Sequence, residues 1–370
     1  MTPDSLLGNF PPPRPPVPFV PDMALFSRKQ KTAVGLDIGS GLVKVAVVDH
    51  SGAEPELVRV ALSPLLPDAI VEGEVMDPAI VSEAIRSALR AAGVEPAKVA
   101  TAVGGRDVIV KQITVDRVRA AKARELLRWE AERHVPFDMD SVALDFQILD
   151  PLGTDEQMEV LLVAAKRELI AARCRVLEEA GVAPALVDVD SFALHNAFER
   201  SHPEAMTGVV AFVHIGHELT NLNLVEEGVP VLTRDLGVGT RRLREDLQRD
   251  HGLSAEAARA LLDASDRSRA LDSVLGGRVE ELAMGIERAA AFRASTSRTF
   301  APIGAIYLSG GGARTPGLID ALAARLRLPV RLATPLAYLA LRDGAFEALE
   351  TEAVAPLLTL AIGLALRVPR

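Results

Sequence analysis

Five residues near the start of the chain have types and a spacing suited to phosphate chemistry: Asp37, Gly39, Ser40, Gly41 and Lys44, in the order D-x-G-S-G-x-x-K. Gly39 and Gly41 permit a tight turn whose backbone amides face phosphate oxygens. The Ser40 hydroxyl can donate to one oxygen and Lys44 can neutralise another. Asp37 can hold a magnesium ion through water. An ordinary β-hairpin with a glycine turn would have the same letters, so the motif alone decides little.

Its recurrence decides more. The segment VGLDIGSGLVKVAVV (34–48) returns as AFVHIGHELTNLNLV (211–225). Overlaying Gly39 on Gly216 brings Thr220 near Lys44 and sets His214 against Asp37. Neutral imidazole is a poor ligand for magnesium, which prefers hard oxygens. The second copy therefore predicts nucleotide binding with slow or absent hydrolysis. A third glycine cluster, Gly310, Gly311 and Gly312, ends one apolar run and precedes another. Such a strand-to-helix turn brings backbone close to a base or ribose.

Elements able to position these residues follow from periodicity. Each half opens with strand, turn and strand, and a third strand follows near 56–61 and 230–232. Helices are expected over 78–92, 119–134, 167–180, 191–200 and 317–326, with a final one near 355–367. The stretch from 241 to 297 reads as helical. Buried strands are expected at 98–103, 186–189 and 305–309, and strands at 108–115, 143–149 and 159–165. The pattern is α/β, in two related lobes with an insert in each.

Composition sets limits. The chain has 370 residues, 49% of them hydrophobic, and a net charge of −9. That balance argues against nucleic acid as a partner. The single cysteine, Cys174, excludes an internal disulfide and reads as core. No apolar run is long enough for a spanning helix. Residues 1–22 read as a disordered, proline-rich extension. The single tryptophan, Trp129, reads as core.

The ordered set of motifs resembles the actin-like ATPase superfamily and, within it, the PilM family of type IV pilus assembly, over about residues 24–370. The resemblance rests on GLDIGSGLVK, ERHVPFDMDSVALDFQIL, VLLVAAKREL, VDVDSFALHNAFE, IYLSGGGARTPGL and AIGLALR. It implies a two-lobed, ribonuclease H-like fold binding ATP and Mg2+ between the lobes. Residues 31–105 with 184–205 would form the first core and 208–240 with 301–370 the second. Residues 106–183 would be the α+β insert shared with FtsA, and 241–300 a helical subdomain. Asp190 matches an acid that orients water in relatives; it reads equally as a helix N-terminal acid favoured by the dipole.

The resemblance also implies partners. The N-terminal peptide of a PilN-like single-span membrane protein would dock beside the insert. Pilus motor ATPases would be further partners, and self-association stays open. The protein would lie on the cytoplasmic face of the inner membrane and reach it only through partners. The sequence departs from the family at His214 and at Gly285, where relatives often place a glutamate near the ribose; either Glu281 or Glu287 substitutes, or nucleotide affinity is weak. Two other readings stand beside this one. A small-molecule kinase would use Asp190 as base, and an FtsA-like division protein would form filaments. The absence of an amphipathic tail after Arg370 speaks against the second.

Overall fold

The computed structural model describes residues 32–95, 98–118, 120–150, 153–264, 266–296, 301–347 and 349–367. The proline-rich extension expected at 1–22 lies outside them.

The first stretch runs β1 (Thr32–Ile38), β2 (Leu42–Asp49), β3 (Glu56–Pro64), β4 (Ile70–Val71), β5 (Glu74–Val75), α1 (Pro78–Ala91) and β6 (Lys98–Val103). Next come β7 (Val108–Asp116), α2 (Ala120–Ala131), β8 (Val142–Ile148), β9 (Gln157–Lys166), α3 (Arg167–Glu179), β10 (Ala183–Val189) and α4 (Asp190–Ser201). The second half holds β11 (Val209–Ile215), β12 (Thr220–Glu226), β13 (Val229–Leu236), α5 (Thr240–His251), α6 (Ala255–Asp263) and α7 (Arg269–Thr296). It ends with β14 (Ala305–Ser309), α8 (Leu318–Leu326), β15 (Val330–Leu332), β16 (Ala340–Leu341), α9 (Thr351–Val354) and α10 (Thr359–Ala365).

Two large sheets repeat one topology. Their strand orders are β10-β6-β1-β2-β3-β16 and β15-β14-β11-β12-β13. In each, the central strand is antiparallel to the strand that follows it and parallel to a later one. The repeat extends to single residues. Asp37 lies opposite Lys44, and His214 lies opposite Asn221. Gly39 N–H donates to the Leu42 carbonyl at 3.1 Å, and Gly216 N–H donates to that of Leu219 at 2.9 Å.

Alternation along the central strands explains what each face does. Val34, Leu36 and Ile38 pack on α1 through Val81, Ile85 and Leu89. Gly35 and Asp37 face the other way. A Cβ on Gly35 would lie 2.0 Å from the Ala361 carbonyl oxygen, so β1 and α10 meet backbone to backbone. On the other side of α10, a Cβ on Gly363 would lie 1.7 Å from the Ala193 oxygen in α4. In β11, Ala211, Val213 and Ile215 join the core under α5 and α7. Phe212 faces the other way and stacks on Phe198 of α4, with ring centroids 4.5 Å apart. One apolar cluster, containing Leu194, Phe198, Phe212, Tyr307 and Leu364, thus joins the two sheets through α4 and α10.

A third sheet, β7-β9-β8, has its own core beneath α2, including Leu127, Ala131, Met158 and Leu162. Its outer strand β7 runs beside β13, the outer strand of the second large sheet.

Several expectations change. Among the described residues, the stretch 241–297 holds three helices. Gly252, at φ 64°, ends α5, and the Ser254 side chain accepts from Ala257 N–H to cap α6. β13 is longer than expected because it pairs along the whole of β12. The final helix is broken by a 3-10 turn over Ala355–Leu358, where Pro356 lacks a donor. α2 stops at Ala131 rather than at 134. Trp129 is 60% exposed and is not a core residue. Gly285 gains a neighbour: a Cβ there would lie 2.6 Å from Leu236 Cδ1, so a larger residue would make that leucine shift where α7 meets β13.

Candidate functional site

Between the two large sheets lies a cleft of about 420 Å3. The β1–β2 turn and the β11–β12 turn enter it from opposite sides, bringing Asp37, Gly39, Ser40, Gly41 and Lys44 to face His214 and Gly216. Asp190 and Gly311 line the same space. Thr220, Gly310 and Gly312 are not among the lining residues. The Thr220 hydroxyl donates to the Val238 carbonyl at 2.5 Å. Gly310 has φ 84°, and a Cβ on it would lie 2.4 Å from the Ile215 oxygen. A Cβ on Gly312 would meet Ile215 Cγ2 at 2.3 Å. These two glycines seat the 3-10 turn Gly311–Arg314 on the end of β11 and so place Gly311.

The first hairpin carries an ion pair at a place where the second carries none. Lys44 Nζ donates to Asp37 Oδ2 at 2.6 Å; Asp37 is buried and Lys44 largely so. At the equivalent place, His214 Nδ1 shares a 2.8 Å hydrogen bond with Ser309 Oγ. Burial pushes the His214 imidazole down to about 4, and Lys44 adds to the shift, so the ring is neutral at pH 7. Its strand partner Asn221 donates to Asp235 Oδ1 at 2.8 Å. Asp235 Oδ2 accepts from Gly105 N–H at 3.0 Å, which ties the end of the first sheet to the second.

Asp190 opens α4 beside Gly104, where a Cβ would lie 2.2 Å from Asp190 Oδ2. Burial, with the nearby Asp37 charge, raises its carboxyl to about 7; Arg173 opposes that shift. Asp190 therefore titrates well above the usual carboxylate range. His217 of the second turn packs over the first, since a Cβ on Gly41 would lie 3.1 Å from its ring. Its Nδ1 hydrogen-bonds Thr240 Oγ1 at 3.2 Å. Arg244, Arg259, Leu262 and Thr315 also line the cleft.

A strap crosses the mouth. Glu218 accepts from Glu72 N–H at 2.7 Å and from Arg241 Nη1 at 2.7 Å. Arg241 also pairs with Asp68 at 3.0 Å. Asp68 and Glu72 flank β4 with φ of 61° and 50°, a region most side chains avoid.

The donors present do not suit a magnesium ion bound directly by the protein. Asp37 is engaged by Lys44, His214 is neutral, and among the described residues no group of three His, Cys, Asp or Glu side chains could hold a metal. A magnesium entering with a nucleotide would take its ligands from the phosphates.

Sequence reading did not find Arg173, Asp235, Asn221, His217 or the strap. Asn221 was within reach, because strict register sets it where Lys44 stands. Arg173 and Asp235 belong to distant elements and carry no local signal.

A sequence profile of the family "Type IV pilus assembly protein PilM" matches residues 35–369. Among solved structures, a chain of the PilM-PilN type IV pilus biogenesis complex is 29% identical, with a TM-score of 0.81 over 92% of this chain and 99% of that one. The ethanolamine utilization protein EutJ from Carboxydothermus hydrogenoformans is 18% identical, with a TM-score of 0.56 over 98% and 92% of the two chains. MreB5 of Spiroplasma citri bound to AMPPNP is 11% identical, with a TM-score of 0.50 over 91% and 95%. The last two likenesses concern the fold, which is the actin-like one. The chain belongs to the PilM family of type IV pilus assembly proteins.

Proposed function

We propose that this protein binds ATP in the cleft between its two large sheets and serves pilus biogenesis as a nucleotide-responsive adaptor. It docks the N-terminal peptide of a PilN-like single-span membrane protein at the cytoplasmic face of the inner membrane. The observation that carries the nucleotide reading is the pair of equivalent turns facing each other across one cleft, with Lys44 and Asp37 on one side and Gly216 on the other. The solved complex of a 29% identical relative with PilN supports the partner. Among the described residues no helix is long and apolar enough to cross a membrane, so the adaptor reading assigns membrane attachment to that partner.

Within this reading, Lys44, Ser40 and the amides of both turns hold phosphates, and Asp190 is the acid placed to orient water. Hydrolysis is slow, because the second turn offers a neutral imidazole where a carboxylate would strengthen a metal site. ATP acts by favouring the closed arrangement of the sheets, and it changes partner affinity only as far as it binds one arrangement better.

Titrating a PilN-type N-terminal peptide into the protein with and without ATP tests the proposal. Tighter binding in one condition is expected. Equal affinities would remove the gating, and no binding would remove the adaptor. Phosphate release by His214→Asp should exceed that of the wild type. Brisk release by the wild type would overturn the slow-hydrolysis reading.

A further inference from the structure

Arg173 projects from the middle of α3 into the floor of the cleft. Its Nη1 donates to the Ile38 carbonyl at 3.2 Å, one residue beyond Asp37 and one before Gly39. Asp190 and Asp37 are the carboxylates whose field it feels, and Cys174 is its titratable neighbour on α3. Yet among the described residues no carboxylate forms an ion pair with it, although ion pairs within 4.0 Å are common elsewhere. A guanidinium has five N–H donors and stays protonated. Arg173 is half-buried, and a charge held partly out of water is costly unless an anion meets it.

The position says which anion. Asp37, Lys44, Asp190 and Arg173 cluster around the first glycine turn, whereas Arg244, Arg259 and Leu262 line the cleft from α5 and α6 on the side of the second sheet. A nucleotide lying with its phosphates on the turns directs its last phosphate towards Arg173. Planar guanidinium suits two phosphate oxygens at once.

We propose that Arg173 binds the terminal phosphate of a nucleoside triphosphate and makes the cleft prefer triphosphate to diphosphate. This rests on the reading of the cleft as a nucleotide site. α3 follows β9 without an intervening residue, so the same side chain links occupancy of the cleft to the three-stranded sheet.

The test compares ATP and ADP affinities of the full chain by competition with a fluorescent nucleotide. The wild type should prefer ATP by about tenfold or more. Arg173→Met should lose that preference while binding ADP nearly as before. Arg173→Lys should recover the preference only in part, because an ammonium lacks the two-pronged geometry. An unchanged ATP-to-ADP ratio in either variant overturns the proposal, as does lower melting of Arg173→Met with the ratio intact. If Arg173→Met does not fold, Arg173→Lys decides alone by the same ratio. A wild type that binds neither nucleotide would overturn the reading of the cleft itself; a wild type that binds both equally would overturn only the role of Arg173.

Discussion

Asp37 and His214 occupy the same position in two copies of one hairpin, each fixed by its strand partner: Lys44 for Asp37, Asn221 for His214. The copies have kept their geometry and divided in charge. An ion pair in one stands where the other has an imidazole and an amide.

The Asp37–Lys44 pair serves both folding and binding, and the two roles can be separated. Lys44→Met strands a buried carboxylate and should destabilise the protein by about 3 kcal/mol. The double variant Asp37→Asn/Lys44→Met should regain most of that stability in urea unfolding, because no uncompensated charge remains. Its ATP affinity should stay at least about tenfold below wild type, since the lysine that meets phosphate is still missing. Full recovery of both would mean that Lys44 matters only to the fold.

His214 predicts a specific loss of stability in mild acid. Its folded value of about 4 lies below the ordinary 6.5, so the unfolded chain takes up the proton first as pH falls. Stability conferred by the neutral ring is present above pH 6.5 and is lost as pH falls towards 4. The loss for this group is about 3 kcal/mol. His214→Asn keeps a polar partner for Ser309 and cannot titrate. Urea unfolding at several pH values should show a shallower decline for the variant. Equal slopes would refute the assignment.

Arg241 closes the strap by holding Glu218 and Asp68 at once. These pairs are partly exposed, so each contributes only about 0.5 kcal/mol and Arg241→Ala should leave the melting temperature within roughly 3 °C. The strap crosses the mouth of the cleft, so nucleotide release should quicken about two- to fivefold, as stopped-flow displacement would show. A large fall in melting temperature with unchanged release would make the strap a structural clamp instead.

Much of this could be read from the sequence because the decisive features are local. The glycine turns, the alternation of β1 and β11 and the repeat of 34–48 at 211–225 all lie within short windows. What escaped is tertiary. Trp129 looked like core because tryptophan usually is, but α2 turns it to the surface. The continuous helical pattern of 241–297 hid two breaks, one of which needed the left-handed Gly252. Arg173 reaches the cleft from a helix more than a hundred residues from Ile38, and no window joins them. Gly285 has as its close neighbour Leu236, which comes from another element.

The contact between β7 and β13 has a mechanical consequence. The chain inserts the small sheet between β6 and β10, two strands of the first large sheet, yet its edge leans on the second. A jaw motion that parts the large sheets cannot leave it at rest. Either β7 slides along β13, or the small sheet swings with the far jaw and strains its roots at Gly105 and α3. In both cases the β7–β13 contact is where movement of the large sheets reaches the small one.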